Sequence, residues 1–140
     1  MNAVEISRTG LDVEWQRLQV IAENIANMNT TRTASGDPYR PLRLLSGPKG
    51  DFAAALNAQG GAQALDGVQV MGIEPISNGI RRVYDPSHPH ANADGFVSYP
   101  NVDHAGEMTL MIKTSRAYEA NLKAMTIAEQ MYEHALELGK

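Results

Sequence analysis

Apolar residues recur at seven-residue intervals near both ends of this 140-residue chain, and this spacing constrains the fold more than any other feature. Residues 2–28 contain no proline, and Asn2 followed by Glu5 has the spacing of a capping box, so we expect a long helix there. A second helix is predicted from about residue 107 to residue 138, opened by Asp103 or His104 and ended by Gly139. At about 1.5 Å per residue, each helix would be roughly 40 Å long or more, which is rod-like for a small chain.

Each predicted helix carries apolar side chains on two faces. On the first helix, one row has the seven-residue spacing of a coiled-coil seam, and a second row is offset from it by two positions. Because a helix turns by about 100° per residue, that offset places the second row on nearly the opposite side. The second helix has a seam with alternating three- and four-residue spacing and a further row opposite it. The rows are Val4, Leu11, Leu18 and Ile25, then Ile6, Val13 and Val20, on the first helix, and Met108, Met111, Tyr118, Leu122, Met125 and Tyr132, then Leu110, Met131 and Leu138, on the second.

Two apolar faces on each helix exceed what this chain can cover by itself. A chain with one other long helix can bury only one face of each, so we expect the remaining face to contact another molecule. At about 25 cal/mol per Å² of apolar area, a row of a few hundred Å² contributes several kcal/mol before the cost of association. An ordinary helical bundle is the alternative, but the sequence supplies no third or fourth long helix for it. We therefore predict a protein that assembles through its helices.

The segment between the helices has the composition of short strands and turns. Apolar residues alternate at 68–73, and residues 80–84 have the composition of a strand. Asn78 followed by Gly79 between these runs is the strongest short-range signal for a β-hairpin. We therefore expect these two strands to pair, within a small and mostly antiparallel sheet of three or four strands.

Two further central segments complete this expected sheet. Asp94 followed by Gly95 predicts a second turn before a strand at 96–99. Residues 39–46 alternate weakly and contain Pro41, which cannot donate a backbone hydrogen bond, so they predict an edge strand at most.

The predicted fold class is α+β, with long N- and C-terminal helices that pair as a coiled coil and a small β domain inserted between them. Residues 1–30 together with 105–140 form the predicted helical domain, and residues 31–104 form the β-rich domain. Within the latter, residues 47–67 are rich in Ala, Gly, Gln and Asp and predict a flexible loop, with one helical turn at 52–57.

Charge and composition exclude several classes of function. The chain has 12 Lys and Arg against 16 Asp and Glu, a net charge of −4, which disfavours nucleic acid and anionic membranes as partners. It has no cysteine, so disulfides and thiolate metal sites are excluded. Charged residues interrupt the apolar residues near the N-terminus, so we expect neither a cleaved signal peptide nor insertion into a membrane.

One loop gathers residues that could bind a metal. Asp85, His88, His90 and Asp94 lie close together in the sequence, so a small metal-dependent enzyme is the rival interpretation from a different class. The histidines lack the four-residue helical spacing of zinc enzymes, and the first and last ligand positions of a calcium loop are not acidic here. No phosphate loop, nucleophile elbow or dinucleotide motif occurs. We therefore expect no enzymatic activity, no metal site and no cofactor.

Asparagines cluster where the first helix ends. Asn24, Asn27 and Asn29 are typical of helix termination, with a packing role in an assembly as the alternative. Asn121 follows Tyr118 by three positions on the seam side of the second helix, where a polar side chain fixes the register at some cost in stability.

Three stretches of the chain resemble the flagellar axial proteins, which form rods and hooks. Residues 22–33, AENIANMNTTRT, resemble the asparagine-rich signature at the end of that family's N-terminal helix. Residues 83–102, VYDPSHPHANADGFVSYPNV, resemble the hallmark of one rod protein, and residues 107–125, EMTLMIKTSRAYEANLKAM, are similar to the family's C-terminal helix. The matching motif residues are Asn24, Asn27, Asn29, Tyr84, Asp85, Pro86, Asp94, Gly95, Pro100, Asn101 and Asn121.

The resemblance implies a structural subunit of the bacterial flagellar basal body, in the proximal rod within the periplasm. It implies that the terminal helices pack into a hollow axial tube that transmits torque, and that the flagellar type III export machinery delivers the chain without a cleaved signal peptide. The implied partners are further copies of the chain, other flagellar rod proteins and the ring-to-rod adaptor. A different rod or hook paralogue is the nearer alternative. The sequence departs from the family pattern at Met28 and Gly106.

Overall fold

The computed structural model describes residues 2–50 and 67–139. Two long helices near the ends of the chain enclose four short strands, so the predicted α+β fold class is confirmed. The elements in chain order are α1 (Ala3–Ala26), β1 (Leu42–Pro48), β2 (Val68–Pro75), β3 (Ile80–Tyr84), β4 (Phe96–Pro100) and α2 (His104–Leu138).

Helix α1 begins at the predicted capping box. The side chain of Asn2 accepts a hydrogen bond from the Glu5 backbone N–H at 2.8 Å, and the Glu5 carboxylate accepts one from the Asn2 N–H at 3.0 Å. These bonds satisfy backbone donors that the first turn of a helix leaves free. At the other end, Asn27 is the C-cap, and its side chain donates to the carbonyl oxygen of Glu23 at 3.0 Å. The capping prediction is therefore confirmed.

Helix α2 is longer than α1. It has 35 residues against 24, which at about 1.5 Å per residue gives lengths of about 52 and 36 Å. Asp103, one of the two predicted opening residues, is its N-cap, and the helix begins at His104 and includes Gly106. A Cβ at Gly106 would lie 2.6 Å from a carboxylate oxygen of Asp103, so glycine permits the close approach of the cap residue. Gly139 is the C-cap, as predicted.

The two helices pack antiparallel. Gly10 of α1 faces the side chain of Asn121, and a Cβ at Gly10 would lie 2.8 Å from the Asn121 Oδ1 atom. Further along α1, the rings of Trp15 and Tyr118 lie 6.4 Å apart between centroids. Positions that advance along α1 therefore recede along α2, as expected for two helices joined through a β domain.

The strands form two separate two-stranded sheets. Strand β1 pairs with β2, and β3 pairs with β4, both antiparallel. The ladder between β1 and β2 shifts register between Leu45 and Ser46. The prediction of one sheet of three or four strands is therefore wrong, and so is the expected hairpin between β2 and β3.

The turn at Asn78 and Gly79 nevertheless forms. Asn78 has a φ of 60°, and the Gly79 N–H donates to the carbonyl oxygen of Ile76 at 3.1 Å. The backbone on either side of this turn bonds to residues outside the turn. The Ile76 N–H donates to the carbonyl oxygen of Pro41, and the Asn101 N–H donates to the carbonyl oxygen of Gly79, each at 2.8 Å. These bonds hold β2 beside β1 and β3 beside β4, so the turn connects two sheets and does not close a hairpin.

The other strand predictions agree with the structure in position. Gly95, with a φ of 80°, forms the predicted turn before β4. Strand β1 continues to Pro48, inside the predicted flexible loop, and the Lys49 N–H donates to the carbonyl oxygen of Gly67 at 2.9 Å. The predicted helical turn at 52–57 lies outside the described residues.

One buried cluster joins α1 to the first sheet. Val13, Val20 and Leu44 are buried, and Leu42 and Val70 pack against them. The expectation that the second row of α1 needs another molecule is wrong at Val13 and Val20, because a sheet of the same chain covers them. Helical spacing shows that a face is buried, but it does not identify the element that covers that face.

Candidate assembly interface

Both apolar rows of α1 are covered to a large extent within the chain. Leu11 in one row and Val13 and Val20 in the other are buried. Helix α1 contacts both α2 and the β1–β2 sheet, and Val13 and Val20 of the second row pack on that sheet. The remaining members of the two rows are half-buried, namely Val4, Ile6, Leu18 and Ile25.

The predicted seam of α2 is covered at some positions and exposed at others. Its members Met111, Tyr118 and Met125 are half-buried, whereas Met108, Leu122 and Tyr132 are 40%, 44% and 51% exposed. The buried positions of α2 are Thr114 and Ala128, which the predicted seam does not include. Small or polar residues allow α1 to come close, as Asn121 does at Gly10.

The large side chains of the second apolar row of α2 are exposed. Leu110, Met131 and Leu138 of this predicted row are 45%, 68% and 90% exposed. Other large apolar side chains that α2 exposes are Ile112, Leu122, Ile127, Tyr132 and Leu136. Contiguous exposed apolar surface on a small protein marks a site of interaction.

Among the described residues, neither helix contains an apolar stretch of the length that a membrane span requires.

Helix α2 extends beyond the N-terminal end of α1. Ala3, the first residue of α1, lines an apolar cleft together with Ala128 and Tyr132. From residue 129 to residue 139, every position is exposed. We call residues 129–138 the C-terminal overhang, because every one of these positions is exposed; the first turn of α1, at Ala3, lies beside Met131, Tyr132 and Ala135.

Asn24 joins α1 to both of its neighbours. Its side chain is 1% exposed. The Nδ2 atom donates to the carbonyl oxygen of Leu42 at 2.8 Å and to the Glu107 carboxylate at 3.4 Å. The Oδ1 atom accepts from the Leu42 N–H at 2.9 Å and from the Tyr39 hydroxyl at 3.0 Å. The amide therefore pairs with Leu42 as a neighbouring strand would, and it ties β1 and α2 to α1.

The asparagine cluster marks the end of α1 as predicted, but Asn24 itself lies inside the helix. Asn27 is the C-cap, and Asn29 is exposed. One signal could have identified the role of Asn24, since it follows Val20 by four positions and therefore shares the face that β1 covers. Arg17 lies on the same face and likewise donates to a backbone carbonyl of β1, at 3.4 Å.

Burial changes the acidity of two groups beside Asn24. Burial raises the pKa of the Glu107 carboxyl, the hydrogen bond from Asn24 opposes this shift, and the charge of Asp103 adds to it. The pKa of the Tyr39 hydroxyl is also raised, first by burial and then by the negative charges of Glu23 and Glu107. The junction therefore favours the protonated form of both groups.

The loop considered as a metal site is ordered by its own hydrogen bonds. The Asp85 carboxylate accepts from the hydroxyl and the N–H of Ser87, at 2.6 and 3.2 Å, which lowers the pKa of Asp85. The Nδ1 atom of His88 accepts from the N–H of His90 at 3.0 Å. Within residues 2–50 and 67–139, no three His, Asp or Glu side chains are arranged to hold a metal ion. The structure therefore does not bring Asp85, His88, His90 and Asp94 together as ligands.

Several residues of the flagellar motif shape the second sheet and its loop. A Cβ at Gly95 would lie 2.9 Å from the ring of Tyr84 and 3.2 Å from Pro86, so the loop closes tightly against β3. The Asn101 side chain donates to the carbonyl oxygen of Asn78 at 3.0 Å and ties the end of β4 to the turn before β3. These residues have structural roles inside the subunit, and their contribution to assembly stays a prediction.

Comparisons with known proteins define the class to which this fold belongs. Residues 5–32, which include most of α1, match the family model described as Flagella basal body rod protein. Residues 93–138, which include β4 and α2, match the model described as Flagellar basal body rod FlgEFG protein C-terminal. Paired terminal helices and these two matches define a protein of the flagellar rod.

Curated relatives identify the family more narrowly. The flagellar basal-body rod protein FlgC of Bacillus subtilis is 38% identical over 99% of this chain and 97% of the relative. Proteins of the same description from Borreliella burgdorferi and Escherichia coli are 36% and 34% identical, over 98% and 100% of this chain and 95% and 98% of the relatives. The chain belongs to the FlgC family of flagellar basal-body rod proteins. It is a structural subunit of the rod in the flagellar basal body, where it assembles with other rod components.

Proposed function

We propose that this protein joins its neighbours in the rod through the exposed apolar surface of α2, and that its paired helices form part of the wall of a hollow axial tube. One observation carries the proposal: the row of Leu110, Met131 and Leu138 is exposed along α2, whereas both rows of α1 are largely covered within the chain. Helix α2 therefore presents apolar surface that a neighbouring subunit can cover.

The exposed surface of α2 is large enough to support assembly. Removing one large apolar side chain from water contributes about 1.5–3 kcal/mol. Association costs about 4–15 kcal/mol in lost translation and rotation. Several side chains must therefore be covered together, and the exposed large apolar side chains of α2 provide them.

Close packing of the helix pair supports the proposed transmission of torque. We assign residues 1–30 and 105–140 to the unit that packs in the tube wall and residues 31–104 to an outer domain. Close-packed protein interiors have low compressibility and transmit strain. The approach of α1 and α2 at Gly10, and the bonds of Asn24 to both neighbouring elements, would resist displacement of one element against another.

The proposal includes a location and specific partners. It places the chain in the proximal rod within the periplasm, beside further copies of itself, other rod proteins and the ring-to-rod adaptor. It also includes delivery by the flagellar type III export machinery. The absence of cysteine agrees with this route, because no disulfide can form in an oxidising compartment. The proposed role is structural and not enzymatic. In the loop from Asp85 to His90, the Asp85 carboxylate accepts from the Ser87 hydroxyl and the His88 Nδ1 atom accepts from the His90 backbone N–H, which supports this interpretation.

The proposal predicts that one charge on the exposed row blocks assembly without unfolding the subunit. In Met131→Asp, the row gains a carboxylate that a neighbouring subunit would have to bury without a partner. Met131 is 68% exposed in the single chain, so the thermal unfolding of the purified variant should match that of the parent. Gln130→Asp is the matched control, because it adds the same charge at the adjacent exposed position.

Basal bodies from cells that express only one variant provide the measurement. We expect rods that contain Gln130→Asp and cells that swim, whereas Met131→Asp should be absent from rods and its cells should not swim. Normal incorporation of Met131→Asp, with normal swimming, would refute the proposed surface.

A further inference from the structure

A small cavity lies between the loop after α1 and the second sheet. Its volume is about 170 Å³, and Arg32, Arg82 and His90 line it. The hydroxyl of Thr31 lies 2.8 Å from the Nδ1 atom of His90 and holds this ring at the cavity. Among the described residues, no Asp or Glu side chain lines it. We call it the basic cavity.

The two arginines of the basic cavity form no ion pair within residues 2–50 and 67–139. Arg17 and Arg43, in contrast, pair with Glu14 and Glu74. A guanidinium group binds a carboxylate through two parallel hydrogen bonds, and this geometry makes arginine the preferred partner of carboxylates at interfaces. The basic cavity therefore presents unused donors that suit a carboxylate from outside the subunit.

The C-terminal overhang carries the complementary charge. Glu129, Glu133 and Glu137 follow one another at four-residue spacing, so they lie along one side of α2. Residues 124–139 contain no lysine or arginine, although His134 lies 3.5 Å from the Glu137 carboxylate. Leu138, at the end of the same segment, is 90% exposed. The overhang therefore offers several carboxylates together with an uncovered apolar side chain.

The basic cavity and the overhang lie near opposite ends of the helix pair. The cavity adjoins the loop that follows the C-terminal end of α1, whereas the overhang lies beside Ala3 at the N-terminal end. Helix α1 itself is about 36 Å long at 1.5 Å per residue. The overhang of a chain therefore cannot reach the cavity of the same chain. Two overhangs repel each other, because both are acidic.

We propose that the overhang of one copy docks at the basic cavity of the next copy, with a glutamate carboxylate between Arg32 and Arg82. The inference rests on the proposed function, in which copies of the chain are neighbours in the rod. Phe96, which also lines the cavity and is 41% exposed, offers apolar contact to the end of the overhang. Because the two surfaces differ, the contact is heterologous, and its repetition extends a row of copies without closing a symmetric dimer.

Engineered cysteine pairs test this contact in assembled rods, because the chain has no cysteine of its own. A variant with both Arg82→Cys and Glu133→Cys places one thiol on each side of the contact. After mild oxidation of isolated basal bodies, we expect a ladder of disulfide-linked dimers, trimers and longer species, since each copy takes part in two contacts. Reduction should return the ladder to monomers.

Lys123→Cys combined with Glu133→Cys is the matched control, because Lys123 is exposed on α2 away from the cavity. Rods that contain the test variant but give no ladder would overturn the inference, and so would a ladder of equal strength in the control. Dimers without longer species would also overturn it, since they indicate a symmetric contact. In each of these cases the rods still form, so the proposed function is unaffected.

A second pair keeps the inference testable if loss of Arg82 prevents rod assembly. Ser98→Cys with Glu137→Cys leaves both arginines in place, and Ser98 lines the same cavity. The same ladder is expected for this pair. Its absence from assembled rods would count against the contact in the same way.

Discussion

At the scale of single residues, the side-chain amide of Asn24 holds helix α1 to strand β1. Its oxygen and its nitrogen both bond to the backbone of Leu42, as the backbone of an adjacent strand would. Within the described residues, no buried side-chain nitrogen or oxygen lacks a partner. A fully bonded buried amide favours one arrangement of the elements around it, because any other arrangement leaves polar groups unpaired.

Asn24→Ala should lower the free energy of unfolding by roughly 2–4 kcal/mol, because the backbone groups of Leu42 lose their partner in a buried site. Chemical denaturation followed by circular dichroism provides the measurement. Asn29→Ala is the control, since Asn29 is exposed and its replacement should change the free energy by less than about 0.5 kcal/mol. Equal effects of the two substitutions would contradict the role that we assign to Asn24.

Glu107 makes the stability of the same junction depend on pH. Burial raises the pKa of this carboxyl above its ordinary value of 4.5, so the folded chain binds the proton more tightly than the unfolded chain does. The stabilising contribution of the proton is fully present below pH 4.5, and it is lost as the pH rises through the higher pKa of the folded state.

At pH values above the raised pKa of Glu107, Glu107→Gln should therefore stabilise the fold relative to the parent. Below pH 4.5 the substitution should have a smaller effect. Glutamine retains an acceptor for Asn24 and removes the charge that burial disfavours. Denaturation at a series of pH values measures the difference, with the exposed Glu119→Gln as the control. A difference between Glu107→Gln and the parent that stays constant with pH would be inconsistent with the raised pKa.

Residue roles were predictable where they depend on sequence neighbours. The capping box of Asn2 and Glu5 joins residues three positions apart, and it forms as predicted. The bonds of Asn24 reach Leu42 and Glu107, which are 18 and 83 positions away. A single sequence carries no direct signal for such partners, so the asparagine cluster predicts the end of the helix but not the bonds of Asn24.

At the scale of elements, Gly10 sets how closely α1 and α2 approach. A Cβ at this position would lie 2.8–3.0 Å from three side-chain atoms of Asn121. The Asn121 side chain also donates to the carbonyl oxygen of Ala117 in its own helix at 3.0 Å, which holds it in place. The predicted role of Asn121 on the seam side is therefore compatible with the observed contact.

Gly10→Leu should destabilise the fold by about 1–3 kcal/mol through overpacking, even though loss of glycine favours the helix itself. Asn121→Ala should recover part of that loss in the double variant, because it removes the atoms that clash. Denaturation of the two single variants and the double variant gives the coupling energy between the positions. Additive effects would show that the helices do not depend on this approach.

The positions of the elements were predictable from the sequence, whereas their pairings were not. Periodicity and capping residues located both helices to within a turn. The turn at Asn78 was located correctly, but bonds from Ile76 and Asn101 to distant residues decide which strands pair. The spacing of Val13 and Val20 predicted a second buried face on α1, but a sheet covers it where another molecule was expected.

At the scale of the whole molecule, the chain covers its two helices unequally. Helix α1 contacts both α2 and the β1–β2 sheet, whereas in the described part of the chain α2 packs extensively only against α1. The expectation that each helix keeps an uncovered row therefore holds for α2 and not for α1. A subunit with one uncovered helix face suits a continuous structure, because each neighbour supplies the missing cover.

The central claim is that other subunits cover the apolar row of α2. The most direct measurement is the labelling rate of Met131→Cys with a thiol reagent, in a chain that has no other cysteine. We predict rapid labelling of the purified subunit and strong protection in isolated basal bodies, with Val13→Cys labelled slowly in both states because Val13 is buried. Equally rapid labelling of Met131→Cys in the free subunit and in the basal body would contradict the account.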